Sequence, residues 1–250
     1  LALRPQLALV QVGTDPASTK FVSMKRAFAE EIGVACIFRQ LPEATTTEEL
    51  QREISVLNAD PRVNGIVVQL PLPAHIDTDA VIEAIHPGKD PDSLRTFSEE
   101  ERGVPPPVAG AVEEILDRNG ITPEGLQAVV IGYGRLVGKP VAQWLVDRGA
   151  HLHVVDEHTE ARRRDALLGN ADIIVSGAGV PGLLKPEMVK QGVILIDAGT
   201  SETGGKLVGD IDPRCAEKAA LYTPVPGGVG PITVAIIFKN LLLLIGRQSV

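Results

Sequence analysis

The chain has 250 residues, enough for one large domain or two modest ones with a substantial core. Its formal net charge of -8 argues against a protein that works on nucleic acid or on an anionic membrane surface, because either needs a basic face. Cys36 and Cys215 are the only cysteines and form no C-x-x-C pair, a usage that fits buried thiols in a reducing, cytoplasmic setting.

Gln6 to Val12 (QLALVQV) is a short apolar run ended by Gly13, Asp15 and Pro16, the pattern of a strand leaving into a loop. The chain starts at Leu1 rather than methionine and enters this strand almost at once, with no signal peptide visible; a preceding N-terminal segment is therefore an open expectation. From Ser18 to Ile32 apolar residues recur at helical spacing up to Gly33, and Lys25 lies one turn beyond Phe21 on the same side. Ala35 to Leu41 reads as a second strand and Thr45 to Leu57 as a second helix. Val63 to Leu70 follows as a third strand, ending in Gln69 and the rigid Pro71-Leu72-Pro73.

This alternation predicts a parallel sheet covered by helices, with ligands gathering at the strand C-terminal ends, where Gln69 sits. A short helix is expected over Thr78 to Ile85. Pro87 to Pro107 then runs without a periodic pattern, carrying five prolines together with Lys89, Asp90 and Asp92. An irregular stretch of that length inside a compact chain reads as a functional loop or a domain connection.

A helix over Ala109 to Asn119 leads into Ala128-Val-Val-Ile-Gly-Tyr-Gly-Arg-Leu-Val-Gly-Lys-Pro140. This is a buried strand, a turn containing Gly132, Gly134 and Gly138, and a helix start around Val141 to Val146. Such a turn can bring backbone N–H groups against a diphosphate; the spacing G-x-G-x-x-x-G is one residue longer than the commonest dinucleotide pattern, and the turn alone is a weak signal. His151 to Asp156 is the next strand, and a carboxylate at its end suits the adenosine ribose hydroxyls. Strands are expected at Asp172 to Ser176 and Gly192 to Asp197, and an edge strand at Lys206 to Asp210. The cluster Thr223-Pro-Val-Pro-Gly-Gly-Val-Gly-Pro231 opens a last apolar helix, Ile232 to Gly246, which reads as buried and as too short to span a bilayer comfortably. His151 and His153 share a strand face, but two ligands are too few for a metal site, and none is expected.

Several separated motifs together resemble the bifunctional methylenetetrahydrofolate dehydrogenase/cyclohydrolase family, usually called FolD. They are Val12-Gly13-x-Asp15-Pro16-Ala17-Ser18, Lys25, Gly65-Ile-Val-Val-Gln-Leu-Pro-Leu-Pro73, Lys89-Asp90-x-Asp92, Val137-Gly138-Lys-Pro140 and Pro224-Val-Pro-Gly-Gly-Val-Gly-Pro231. The resemblance implies an α/β fold of two β/α domains around a cleft, the second a Rossmann-like dinucleotide-binding domain. The expected division is residues 1–108 plus 233–250 for folate and catalysis, and 109–232 for the dinucleotide. It also implies two reactions: oxidation of 5,10-methylenetetrahydrofolate with NAD(P), then hydrolysis of the methenyl cation to 10-formyltetrahydrofolate.

By the same resemblance Lys25, Gln69 and Asp92 are the catalytic set, with Gln69 partnering the lysine and Asp92 gripping the pterin ring. Substrate contacts are implied at Phe21, Pro71, Leu72, Pro73, Gly227, Gly228 and Pro231. Cofactor contacts are implied at Gly132, Tyr133, Gly134, Val137, Gly138, Asp156, Glu157, Gly177 and Thr200. A homodimer is implied too.

Departures from the family pattern fall in both halves. Phe21 stands where the family has tyrosine, Asp90-Pro-Asp-Ser93 where it has D-V-D-G, and Pro106-Pro107-Val108 where cysteine-threonine-proline is common. Members that use NADP commonly carry G-R-S and H-S-R-T where this chain has Gly132-Tyr133-Gly134 and Asp156-Glu157-His158-Thr159. Two carboxylates there oppose a 2′-phosphate and favour NAD, while the family pattern favours NADP. Two other readings stay open: a divergent folate or dinucleotide binding protein that no longer catalyses, and a two-domain dehydrogenase of shikimate type.

Overall fold

A computed structural model describes residues 4–95 and 103–248; the middle of the expected Pro87 to Pro107 loop and the extreme ends lie outside the described residues. The chain divides into two compact units, residues 1–107 with 234–250, and residues 108–233.

In the first unit, β1 (Gln6–Val12), β2 (Ala35–Leu41) and β3 (Gly65–Val68) form an all-parallel sheet in the order β2-β1-β3. The period of two along a strand sorts its side chains: Ala8, Val10 and Val12 pack with Leu50, Ile54 and Leu57 of α2 (Thr47–Ala59). Leu7 and Leu9 point the other way, onto Val22 and Ala29 of α1 (Pro16–Glu31) and onto the C-terminal helix. Both helix starts are written in the sequence. The Asp15 carboxylate accepts from Ser18 N at 2.8 Å with Pro16 in the first turn, and Thr46 and Glu49 form a reciprocal capping box. Lys89 closes the far end of α2, its Nζ donating to the Asn58 and Asp60 carbonyls at 2.8 Å each. A short α3 (Thr78–Glu83) completes this side.

The second unit holds a five-stranded parallel sheet of β4 (Gln127–Ile131), β5 (His151–Val155), β6 (Ile173–Ser176), β7 (Val193–Asp197) and β10 (Ala219–Thr223), in the order β10-β7-β6-β4-β5. Helices α4 (Pro107–Arg118), α5 (Gly138–Asp147) and α6 (Ala161–Asn170) accompany it. The chain steps from β4 to β5 on one side and returns past β4 to β6 on the other. That reversal is the switch point of a doubly wound sheet, where strand C-terminal ends leave a crevice.

Two expectations change. The edge strand is β10, not Lys206 to Asp210; only Lys206–Val208 (β9) is extended, and it pairs antiparallel with β8 (Ser201–Thr203) as a separate hairpin. β9 pairs across the turn at Gly204 and Gly205, a local partner that a run of alternating residues does not reveal. The last helix, α7 (Val229–Gln248), is longer than Ile232 to Gly246 at both ends and does meet the length and hydropathy of a membrane span. Within the fold, Val234, Ile237, Phe238 and Leu241 bury one of its sides against the first sheet.

Candidate active site

The side-chain chemistry of the first unit gathers where β1 and β3 end. Gln69 follows β3, its N–H donating to the Val10 carbonyl at 2.8 Å, so its side chain takes the α1 side of the sheet as Val67 does. Lys25 faces it from α1, on the stripe Ser18, Val22, Lys25, Ala29 that the helix buries. Its Nζ donates to Gln69 Oε1 at 3.0 Å, and the two residues are only 7% and 9% exposed. The Gln69 amide is fixed in turn, Nε2 donating to the Leu70 carbonyl at 2.6 Å just before the cis Leu70-Pro71 bond.

Charge in this pocket is costly, and the titrations reflect it. Burial pushes the Lys25 ammonium below its ordinary value, with the Asp92 carboxylate opposing. Burial pushes Asp92 up, against the pull of Lys25. Asp90, two residues earlier, rises to about 6, from burial first and the Asp92 charge second. Its Oδ2 accepts from Leu94 N at 3.0 Å, which curls the loop, while Oδ1 is buried with no partner. Ser93 completes the curl at φ 51°, a left-handed conformation that suits the glycine of the family pattern better than serine. Asn240, wholly buried in the apolar α7, donates from Nδ2 to the Pro91 and Pro105 carbonyls at 2.9 and 2.8 Å and so pins both ends of the Asp92 loop.

Phe21 is half-buried one turn before Lys25, Leu72 packs on the core beside Ile76, and Pro71 is exposed. Gly227, Gly228 and Pro231, expected to touch the same substrate, belong to the second unit.

In the second unit the candidate recognition surface is backbone. Gly132 ends β4 at φ 83°, and a Cβ at Gly138 would fall on the Gly132 carbonyl, so the turn closes only with glycine at 138. A Cβ at Gly177 would strike the Val137 side chain, which joins the β6 loop to the same turn. Gly134, by contrast, has open space over it. α5 then starts at Gly138 with no side-chain cap on its first turn. A bare helix start beneath an uncrowded glycine is a cradle for phosphate, so these residues fit a dinucleotide.

Asp156 ends β5 exposed, its Oδ1 accepting from His158 N at 3.0 Å and Thr159 Oγ1 at 2.9 Å. Those bonds, the threonine hydroxyl first, hold its carboxyl below the ordinary range. Glu157 and Thr200 are exposed. Tyr133 is exposed as well, with Lys139 Nζ 5.9 Å from its ring centre.

Residues 2–92 match the model of the tetrahydrofolate dehydrogenase/cyclohydrolase catalytic domain, and residues 106–249 that of the same family's NAD(P)-binding domain. The chain belongs to this family. It is 45% identical over 253 residues to the bifunctional protein FolD of Halothermothrix orenii, covering 94% of this chain and 86% of that one. The FolD of Nitratiruptor is 41% identical over 249 residues, covering 94% and 85%. The fold is similar to the FolD structure from Trypanosoma brucei, complexed with NADP cofactor and inhibitor. That likeness has a TM-score of 0.93 and 38% identity, covering 98% of this chain and 88% of that one.

As in other FolD structures, a catalytic α/β domain thus accompanies a Rossmann-like NAD(P)-binding domain. Structural likeness to a shikimate 5-dehydrogenase from Thermus thermophilus, at 18% identity, is one of fold alone. Sequence reasoning passed over Asp210, Ser176 and the role of Asn240. A polar residue inside an otherwise apolar helix was the available signal for Asn240; a buried aspartate in a loop gives none.

Proposed function

We propose that this FolD-family enzyme oxidises 5,10-methylenetetrahydrofolate to the methenyl cation with a nicotinamide dinucleotide and hydrolyses that cation to 10-formyltetrahydrofolate. The observation that carries this reading is the buried Lys25 to Gln69 hydrogen bond, with Asp92 as the electrostatic partner of the lysine, inside the catalytic-domain match. We assign folate chemistry to residues 1–108 with 233–250 and dinucleotide binding to 109–232.

The dinucleotide would supply the hydride acceptor; Gly132, Tyr133, Gly134, Val137 and Gly138 would hold its diphosphate, and Gly177 and Thr200 would make further contacts. In the second reaction water adds through oxygen to the methenyl carbon and loses one proton. The bond from carbon to N5 then breaks as the remaining hydroxyl proton leaves the oxygen and N5 takes up a proton, so that the formyl group stays on N10 and one proton is released overall. Lys25, fixed by Gln69 and with its pKa lowered by burial, orients the water and carries the proton at Nζ. Asp92 accepts hydrogen bonds from the pterin N–H groups. Phe21, Pro71, Leu72, Pro73, Gly227, Gly228 and Pro231 contact the folate.

We further infer NAD over NADP. Asp156 and Glu157 place two carboxylates after β5, where a 2′-phosphate of charge about -2 would be repelled. The protein works as a cytoplasmic homodimer in this reading, as the family resemblance implies. A purified sample assayed with methylenetetrahydrofolate and NAD or NADP side by side should turn over faster with NAD. No absorbance change with either cofactor would leave a binding protein without turnover; faster turnover with NADP would reverse the cofactor assignment.

A further inference from the structure

The C-terminal ends of β6 and β7 are tied together by two aspartates to which the reaction above gives no part. Asp210 is wholly buried, and its carboxylate takes four hydrogen bonds. Oδ2 accepts from Ser176 Oγ at 2.8 Å, Ala178 N at 2.8 Å and Gly179 N at 3.2 Å; Oδ1 accepts from Val180 N at 2.8 Å. Three consecutive N–H groups of the β6 loop therefore point inward at one side chain.

Asp197, at the end of β7, holds the strand leading to Asp210 in the same way. Its Oδ1 accepts from Asp210 N and Gly199 N at 3.1 Å each, and its Oδ2 from Ile211 N at 2.9 Å. Gly199 and Gly209 leave room for this arrangement: a Cβ on Gly199 would fall on the Asp210 carboxylate, and one on Gly209 on that of Asp197. Buried carboxylates are tolerated when backbone donors saturate them, and they then fix those donors rigidly.

We propose that Asp210 is a positioning residue for the dinucleotide, presetting the Ala178–Val180 backbone before the cofactor arrives. The inference rests on the dinucleotide reading of this unit. Gly177, one of the proposed cofactor contacts, opens the clasped loop, and Gly199, packed against Asp210, precedes Thr200, another. Because the N–H groups of 178 to 180 are committed to Asp210, this loop cannot act as a second phosphate cradle. The diphosphate is left to the turn between β4 and α5, and the β6 loop bounds the crevice with a surface whose shape Asp210 sets. The free energy of ordering that loop is then met during folding rather than on binding.

The test is D210N, whose amide keeps one acceptor oxygen but turns an NH2 group against the loop donors. Without cofactor, exchange of the Ala178, Gly179 and Val180 amides should accelerate about tenfold or more while β4 amides stay protected. The dissociation constants of NAD and NADP, by calorimetry, should rise about tenfold. Cyclohydrolase turnover, which needs no dinucleotide, is the folding control and should stay within about twofold, well inside the tenfold that 1.4 kcal/mol represents.

A folded D210N protein that binds dinucleotide as tightly as its parent would overturn the proposal. If D210N does not fold, S176A decides: losing one of the four bonds should weaken dinucleotide binding by about two- to fivefold, and unchanged affinity would overturn it equally. Should the parent bind neither dinucleotide, it is the functional reading that fails, a result distinct from equal binding by parent and variant.

Discussion

The two units build recognition from opposite materials. In the first, the proposed working groups are side chains withdrawn from water, Lys25 and Gln69 on facing elements, with Asp92 acting electrostatically on both Lys25 and Asp90. In the second, the candidate groups are main-chain ones, in a turn that closes because Gly132 and Gly138 carry no Cβ and that is left open over Gly134. Chemistry on a reacting carbon needs a group whose proton affinity can be tuned, and burial tunes it. Holding a diphosphate needs several donors at close approach, which backbone supplies where no Cβ intervenes.

That contrast predicts different failures on the two sides. The largest effect belongs to K25M, which keeps the stem and removes the ammonium. Cyclohydrolase turnover should fall by about 10²- to 10⁴-fold, the usual worth of a proton-transferring group, with dinucleotide affinity unchanged by calorimetry. Retained hydrolysis would break the comparison on the side-chain side.

G138A should do the reverse. Its Cβ has nowhere to go but onto the Gly132 carbonyl, so the turn must open. Dinucleotide affinity should drop about tenfold or more at a stability cost of about 1–3 kcal/mol, while cyclohydrolase turnover survives. Undiminished affinity in titration calorimetry would show that the turn is not the cradle.

The smallest effect sharpens the comparison through pH. Asp90 sits at about 6 in the fold against 3.8 ordinarily, so the native state binds that proton more tightly than the unfolded chain. The sign follows: stability falls as pH rises from about 4 to about 6, by at most about 3 kcal/mol for this group. Asp197, also pushed up to about 6 by burial, adds to the same window from the second unit. D90N should therefore flatten part of the rise in melting temperature expected in calorimetry on going from pH 6 to pH 4, and D197N a further part. A D90N curve parallel to that of the parent would remove Asp90 from the account.

Much of this was legible in the chain because the signals are local. The apolar run Gln6 to Val12, the helical spacing from Ser18 to Ile32 and the glycines bounding a buried strand each act through their own neighbours. The β10 strand escaped because four of its five residues are small or only part-buried, so nothing alternates. The β8–β9 hairpin was misplaced because extended residues do not declare their partner.

The sequence by itself determined the alternation of strands and helices, the glycine turn, and the family that its ordered motifs share. These depend on periodicity, backbone freedom and residue identity, which are properties of short stretches. The family resemblance implied that Gln69, 44 positions away, partners Lys25, but only the tertiary structure decided the direct, buried hydrogen bond between them and that Asn240 of the last helix pins the Asp92 loop. It also turned Asp210, one aspartate among many, into the acceptor of three successive loop amides. Desolvation and hydrogen-bond partnership belong to positions in space, and no pattern along the chain encodes them singly.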